Sequence, residues 1–198
     1  MKAGISIFIA VIAFLVINSL IPTKEEASIY NSTIRLHVIA NSDSEGDQEV
    51  KLKVRDEILK RMEQYEASTK EQALEIIGND KENLEKIATE CLKNHGYDYE
   101  VSIEIGDESY PTRDYDGFSL PEGTYTSLRV IIGSGQGQNW WCVLYPPLCS
   151  SVAIEYDEES IEVGLSKDQY NLITGASSEY KVKFKLLELA SQAFGFDY

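Results

Sequence analysis

Apolar positions along this chain change their spacing several times, and each change marks an element. The opening signal has no period at all. Lys2 is followed by an uncharged stretch from Gly4 to Ile17, and Ile5–Ile17 is a segment of thirteen residues that is apolar except for Ser6. A positive start and a run of that length are the n- and h-regions of a secretory signal. About 20 apolar residues are needed to cross a bilayer core, and continuing the run to Pro22 brings it near that length. No A-x-A cleavage site follows. Residues 1–22 are therefore expected to form a signal peptide or an N-terminal membrane anchor, and both readings stand.

Period two begins at Ile34, where Ile34, Leu36 and Val38 alternate with Arg35 and His37, the pattern of a half-buried strand. The polar loop Asn41–Gly46 ends it. Val50, Val54, Ile58 and Met62 then recur every four residues and predict a helix from about Asp47 to Ala67. Ser68 with Glu71, and Asn79 with Glu82, each set an N-cap three residues before an acceptor, which predicts two further helices. The second carries Leu84, Ile87, Ala88, Cys91 and Leu92 on one stripe and stops at Gly96. Alternation returns at Tyr97–Ile105 and predicts the clearest strand. Two more strands are expected at about Thr124–Ile132 and Trp140–Tyr145, joined by the glycine-rich turn Gly133–Asn139 and stopped by Pro146-Pro147. Ser150–Gly175 is acidic and ambiguous, and Glu179 to about Phe194 reads as a final amphipathic helix. The order β-α-α-α-β-β-β-α implies an α+β fold, a mostly antiparallel sheet with helices packed on it. Residues 28–149 are expected to form the core domain. Residues 150–198 are expected to supply an acidic segment and the last helix, packed on the same domain.

Composition narrows the partners without naming one. A net charge of −15 argues against nucleic acid and anionic lipid headgroups. Three cysteines cannot all pair within one chain. Cys142 and Cys149 are close enough for a disulfide after export, and Cys91, on a helical stripe, reads as a buried free thiol.

Candidate chemistry is sparse. The cluster Gly133, Gly135 and Gly137 lacks the sixth-position glycine of a dinucleotide fingerprint and runs into a strand rather than a helix, so a hairpin loop accounts for it. Asn41, Asp43, Glu45, Gly46 and Asp47 mimic the start of a calcium loop, but its twelfth position is Leu52, so an Asx-rich cap on the following helix is the better account. The two histidines, His37 and His95, form no zinc spacing with the cysteines. A Cys142–His37 thiol dyad has no local motif behind it. No enzyme activity, cofactor, metal or small-molecule substrate is expected. Trp140 and Trp141 point to opposite faces of their strand, which makes one of them a candidate interface anchor.

Two blocks carry a family resemblance. Ile34–Ser44 reads IRLHVIANSDS and is followed by Asp47-Gln48 and by Lys51–Asp56, KLKVRD. Gly123–Tyr125 and Leu128–Val130 lead into Gly133–Cys149, GSGQGQNWWCVLYPPLC. Both resemble the hallmark segments of stage II sporulation protein R, over roughly Ile34 to Cys149 and again in the short Lys181–Leu187 region. The resemblance implies a protein made in the forespore of an endospore-forming bacterium and exported into the space between forespore and mother cell, free or tethered. There it would signal to a membrane-embedded aspartic protease, which removes the pro-sequence of sigma E. The chemistry would belong to the protease. The surfaces expected to contact it are the Asn41–Gln48 loop, with Asn41, Asp43 and Asp47, and the hairpin, with Gly135, Gly137, Asn139, Trp140 and Trp141. The rival readings are an exported hydrolase using Cys142 or an acidic pair, and a structural interaction domain of the spore envelope.

Overall fold

A computed structural model describes residues 24–115, 118–148 and 165–174. Among these no helix is long and apolar enough to cross a membrane, and residues 1–22 lie outside them. The chain divides into two compact units.

The larger unit spans Tyr30–Tyr110 and Gly123–Ser166. It holds β1 (Ile34–Ile39), α2 (Glu45–Met62), α3 (Lys70–Asn94), β2 (Val101–Tyr110), β5 (Gly123–Ile132) and β6 (Asn139–Tyr145). The four strands form one sheet in the order β2-β5-β1-β6. β2–β5 and β1–β6 are antiparallel and β1–β5 is parallel, so the sheet is mixed and mostly antiparallel. An α+β fold is what the alternating periods implied.

One face of the sheet meets the helices. Ile34, Leu36 and Val38 pack with Val54 and Ile58 of α2 and with Leu84 of α3. Each of these six side chains is fully buried, a contribution of about 1.5–3 kcal/mol apiece. Cys91 joins the same core as a free thiol, and burial pushes its pKa up. That thiol is the packing residue its stripe position indicated.

The opposite face differs from expectation. Alternation with Arg35 and His37 predicted one wet face for β1, yet Arg35 is fully buried and His37 is 5% exposed. The reason is position: β1 lies between β5 and β6, and its polar side chains find partners in the sheet. Arg35 donates from Nε to the Cys142 carbonyl at 3.1 Å. Its guanidinium lies 4.3 Å from the Tyr110 ring centre and 5.0 Å from that of Tyr125. His37 Nδ1 lies 2.9 Å from Glu108, and the Tyr110 and Ser127 hydroxyls are 2.6 Å apart.

The helices also depart from the pattern. The cap signal at Asn79 starts nothing, because α3 runs unbroken from Lys70 to Asn94, and its N-cap is Thr69, accepting from the Gln72 N–H. Asp80 is held inside the helix by a different task. It accepts two bonds from the Arg61 guanidinium of α2 and one from the Tyr65 hydroxyl, clamping α2 to α3. α3 ends as Gly96 predicted. Gly96 takes φ +82°, its N–H bonds to the Lys93 carbonyl and the Tyr97 N–H bonds to the Leu92 carbonyl, a Schellman stop.

The smaller unit spans Met1–Ile29, Pro111–Glu122 and Lys167–Tyr198. Its described parts include the first residues of α1 (Lys24–Ser32), the short strands β3 (Arg113–Tyr115) and β4 (Phe118–Leu120), and α4 (Lys167–Ile173). β3 and β4 pair antiparallel, with Tyr115 and Phe118 stacked at 4.7 Å. The Thr112 hydroxyl accepts from the Glu122 N–H and draws the two ends of this excursion together. Gln169 of α4 donates to Ser28 of α1 at 2.7 Å. A helix therefore stands within the stretch whose sequence was ambiguous. The helix expected over Glu179 to about Phe194 lies outside the described residues.

Two stability measurements test this reading of α3. Gly78 sits mid-helix with nothing within 4 Å of an added Cβ. Gly78→Ala should raise stability by up to about 1 kcal/mol, read as an upward shift in thermal midpoint. Asp80 is held at about 2, chiefly by its bonds from Arg61 and with help from Tyr65 and Asn83, against burial that raises it. Its folded pKa lies below its unfolded value, so its contribution is complete above about pH 4 and fades as pH falls toward about 2. Asp80→Asn should cost about 1 kcal/mol at neutral pH after allowance for solvent screening, and the gap to wild type should close between those two pH values.

Candidate functional site

The two signature blocks fold onto each other. The Asn41–Ser44 loop leaves the end of β1 and enters α2, and the Gly133–Gln138 turn joins β5 to β6. Because β1 runs parallel to β5 and antiparallel to β6, both loops emerge at one end of the sheet. The Gly137 N–H bonds to the Ala40 carbonyl at 2.9 Å and the Gln136 N–H to that of Asn41 at 3.2 Å. The Ser134 N–H donates to Asn41 Oδ1 at 3.0 Å, and the Gln138 N–H donates to Asp43 Oδ1 at 2.8 Å. Gly133–Gln138 is thus not the hairpin loop the sequence implied, because β1 lies between β5 and β6 and the turn crosses the end of β1. The first loop holds it through backbone donors it would otherwise leave unpaired.

Glycine is required where the loops touch. Gly133 takes φ +56°, and a Cβ there would collide with the Asn41 side chain. A Cβ on Gly137 would run into the Ser42 carbonyl. Close backbone approach, rather than a phosphate cradle, accounts for this cluster.

Asp47 is the centre of the arrangement. It is 4% exposed, and both carboxylate oxygens accept bonds: Oδ2 from Asn41 Nδ2 at 2.9 Å and Ser42 Oγ at 2.6 Å, Oδ1 from the Tyr99 hydroxyl at 3.1 Å. Burial raises its pKa, but the donors from Ser42, Asn41, Tyr99 and Ser44 outweigh that and hold the carboxyl below its ordinary range. Ser44 caps α2, accepting from the Asp47 N–H at 3.2 Å. The cap reading of this loop is the one the structure carries. Lys51, also 4% exposed, donates to Gln48 Oε1 at 2.6 Å and to the Gln138 carbonyl at 2.9 Å, tying α2 to the β5–β6 turn. Burial lowers its pKa.

The eight residues expected to contact a partner therefore divide. Asn41, Asp43, Asp47 and Gly137 are committed to the junction of the loops. Gly135, at φ +61°, shapes the turn. Asn139 is exposed at the start of β6, and Trp140 and Trp141 are half-buried on opposite faces of it. Trp140 packs on the helix-side core, with the Arg55 guanidinium 4.7 Å from its ring centre. Trp141 lies on the other face, 5.5 Å from His37 and 6.1 Å from Tyr110. Ser42, Lys51, Tyr99 and Ser134 join the junction although the patterns did not single them out. Ser42, Lys51 and Ser134 lie within the signature blocks and Tyr99 within the alternation that predicted a strand, but nothing local marks the reach of Lys51 or Tyr99 to the loops.

A thiol dyad is not formed. Cys142 is disulfide-bonded, and it pairs with Leu36 in the ladder while His37 pairs with Trp141, so the two side chains leave opposite faces of the sheet. Cys149, the expected partner of Cys142, lies outside the described residues. Among the described residues, no group of His, Cys, Asp or Glu is arranged to hold a metal ion.

If Asp47 organises the junction, Asp47→Ala should strand the Asn41, Ser42 and Tyr99 donors and cost about 3 kcal/mol. Gly137→Ala should also lower stability, by about 2 kcal/mol, because its clash is with backbone. Urea unfolding of both variants checks this. The Asp47 contribution should be full above about pH 4 and be lost as pH falls below it, since its folded pKa is depressed.

Residues 30–155 match the family described as stage II sporulation protein R. A curated relative, stage II sporulation protein R of Bacillus subtilis (strain 168), is 35% identical over 123 residues, which are 61% of this chain and 55% of that protein. The chain thus aligns to about half the length of that relative. No solved structure matches. The matched span takes in β1, β5, both loops and β6, and on that ground the chain belongs to the stage II sporulation protein R family.

Proposed function

We propose that this protein is an exported intercompartmental signal of sporulation. It leaves the forespore by its N-terminal segment and reaches the space between forespore and mother cell, released or tethered there. It binds the extracytoplasmic part of a membrane-embedded aspartic protease, which then removes the pro-sequence of the sigma E precursor in the mother cell. A ligand can act in this way only if it binds the active state of its receptor more tightly than the inactive one.

The observation that carries this reading is the family match across the interlocked loops. The geometry is consistent with a binding role. The loops form a braced platform that presents Asn139 and Trp140 beside Arg55, and a rigid scaffold lowers the entropy cost of binding. The form of the hydrolase alternative that uses Cys142 lacks a free thiol there, since Cys142 is disulfide-bonded.

Deleting the gene in the sporulating host should leave the sigma E precursor uncut, and wild-type protein supplied from the forespore should restore cutting. Trp140→Ala should lower the processed fraction by about tenfold or more if Trp140 is a central anchor, with secretion and thermal midpoint measured alongside. Normal processing in the deletion strain would overturn the proposal and favour a structural role in the spore envelope.

A further inference from the structure

Among the described residues, β2 is an edge strand of the sheet. In an antiparallel pair, alternate residues turn their N–H and carbonyl groups away from the neighbouring strand. The Glu100 carbonyl bonds toward the β5 side, to the Gly133 N–H, whereas the Ile103 N–H points outward and donates to Glu85 of α3 at 3.0 Å. Odd-numbered residues of β2 therefore face out. Glu85 covers that edge at Ile103. Beyond it, Ile105, Asp107 and Ser109 present outward backbone groups with no described residue bonded to them.

This stretch is open in other respects. Glu104 to Asp107 are all exposed. Ile105 is 38% exposed, one of two large apolar side chains so exposed among the described residues. Charge defines what fits. Asp98, Glu100, Glu104, Asp107 and Glu108 lie on or just before β2, which has no basic residue. Arg129 pairs with Glu104, His37 with Glu108, and Lys70 lies near Asp107, so the five carboxylates face three basic side chains and the strand together with its approach stays acidic. Carboxylates on an edge deter pairing with a second copy of the same edge and favour a cationic strand.

We propose that the β2 edge from Ile105 to Ser109 takes an extended, basic segment of a protein partner as an added strand. The backbone of that segment would bond to Ile105, Asp107 and Ser109, an apolar side chain would cover Ile105, and its lysines or arginines would meet Glu104 and Asp107. The inference rests on the reading of this domain as a binding signal and names the segment chemistry that it recognises.

Hydrogen exchange on the full chain tests the edge directly, with a synthetic peptide of about ten residues alternating lysine and valine as the probe. The peptide should slow exchange at the Ile105, Asp107 and Ser109 amides by about tenfold or more, and a glutamate–valine peptide should not. Asp107→Pro removes one outward N–H and leaves the β5 ladder intact, so it should abolish the protection with little change in thermal midpoint. Asp107→Lys keeps the backbone and should weaken protection by charge alone. Protection elsewhere, equal protection by the acidic peptide, or protection that grows with protein concentration in the absence of peptide would overturn the proposal, the last pointing to a second copy. In sporulating cells, Asp107→Pro secreted at wild-type level should fail to support sigma E processing. Full processing by that variant, in a host whose deletion strain is defective, would overturn the edge as the contact while leaving the signalling role in place. Normal processing in the deletion strain would instead remove the signalling role itself.

Discussion

A buried carboxylate with no nearby guanidinium would be costly, and Asp47 is tolerated only because four donors converge on it. Those donors come from the loop after β1, the cap of α2 and, in Tyr99, the segment just before β2. Asn41, one of them, uses its other side-chain atom and its carbonyl to receive the turn that joins β5 to β6 across the end of β1. A single charge therefore connects every element at that end of the sheet. The consequence for the site is geometric: the start of β6, with Asn139 and the two indoles, inherits its position from a network several residues away.

The opposite face of β1 shows the same principle with the sign reversed. Arg35 is a buried cation set over the rings of Tyr110 and Tyr125, with the Cys142 carbonyl at its Nε. Two buried charges of opposite sign thus stand at different ends and on different faces of the sheet, each answered by polar or aromatic partners. This arrangement favours one register of the strands over its slipped neighbours, because a one-residue slip would send Arg35 into the helix-side core.

Much of the fold was legible in the sequence because period alone reports it. The alternation in β1 and β2, the stripe through Cys91, the stop at Gly96 and the end of β6 at Tyr145 all depend on local chemistry. Other features depended on neighbours that no window of residues contains. Asn79 and Asp80 look like a helix start, yet Asp80 serves an inter-helix clamp and the helix passes through. Arg35 and His37 look like a solvent face, yet β1 is central and covered. The candidate loops were legible as unusual composition, while their mutual docking was not, since the Ser134–Asn41 contact joins positions 93 residues apart. Lys51 and Tyr99 were invisible as loop partners for the same reason.

That central strand has a consequence for how the chain acquires its structure. β1 lies near the start of the described chain, but its neighbours β5 and β6 come late, and Arg35 reaches a carbonyl 107 residues further on. The α2–α3 hairpin can form early from local contacts, whereas the strand it covers has nothing to pair with until the second half of the polypeptide is present. Contacts of such long sequence separation fold slowly. A polypeptide threaded through a pore from its N-terminus would therefore stay open, with its sheet unbuilt, until most of its length had emerged.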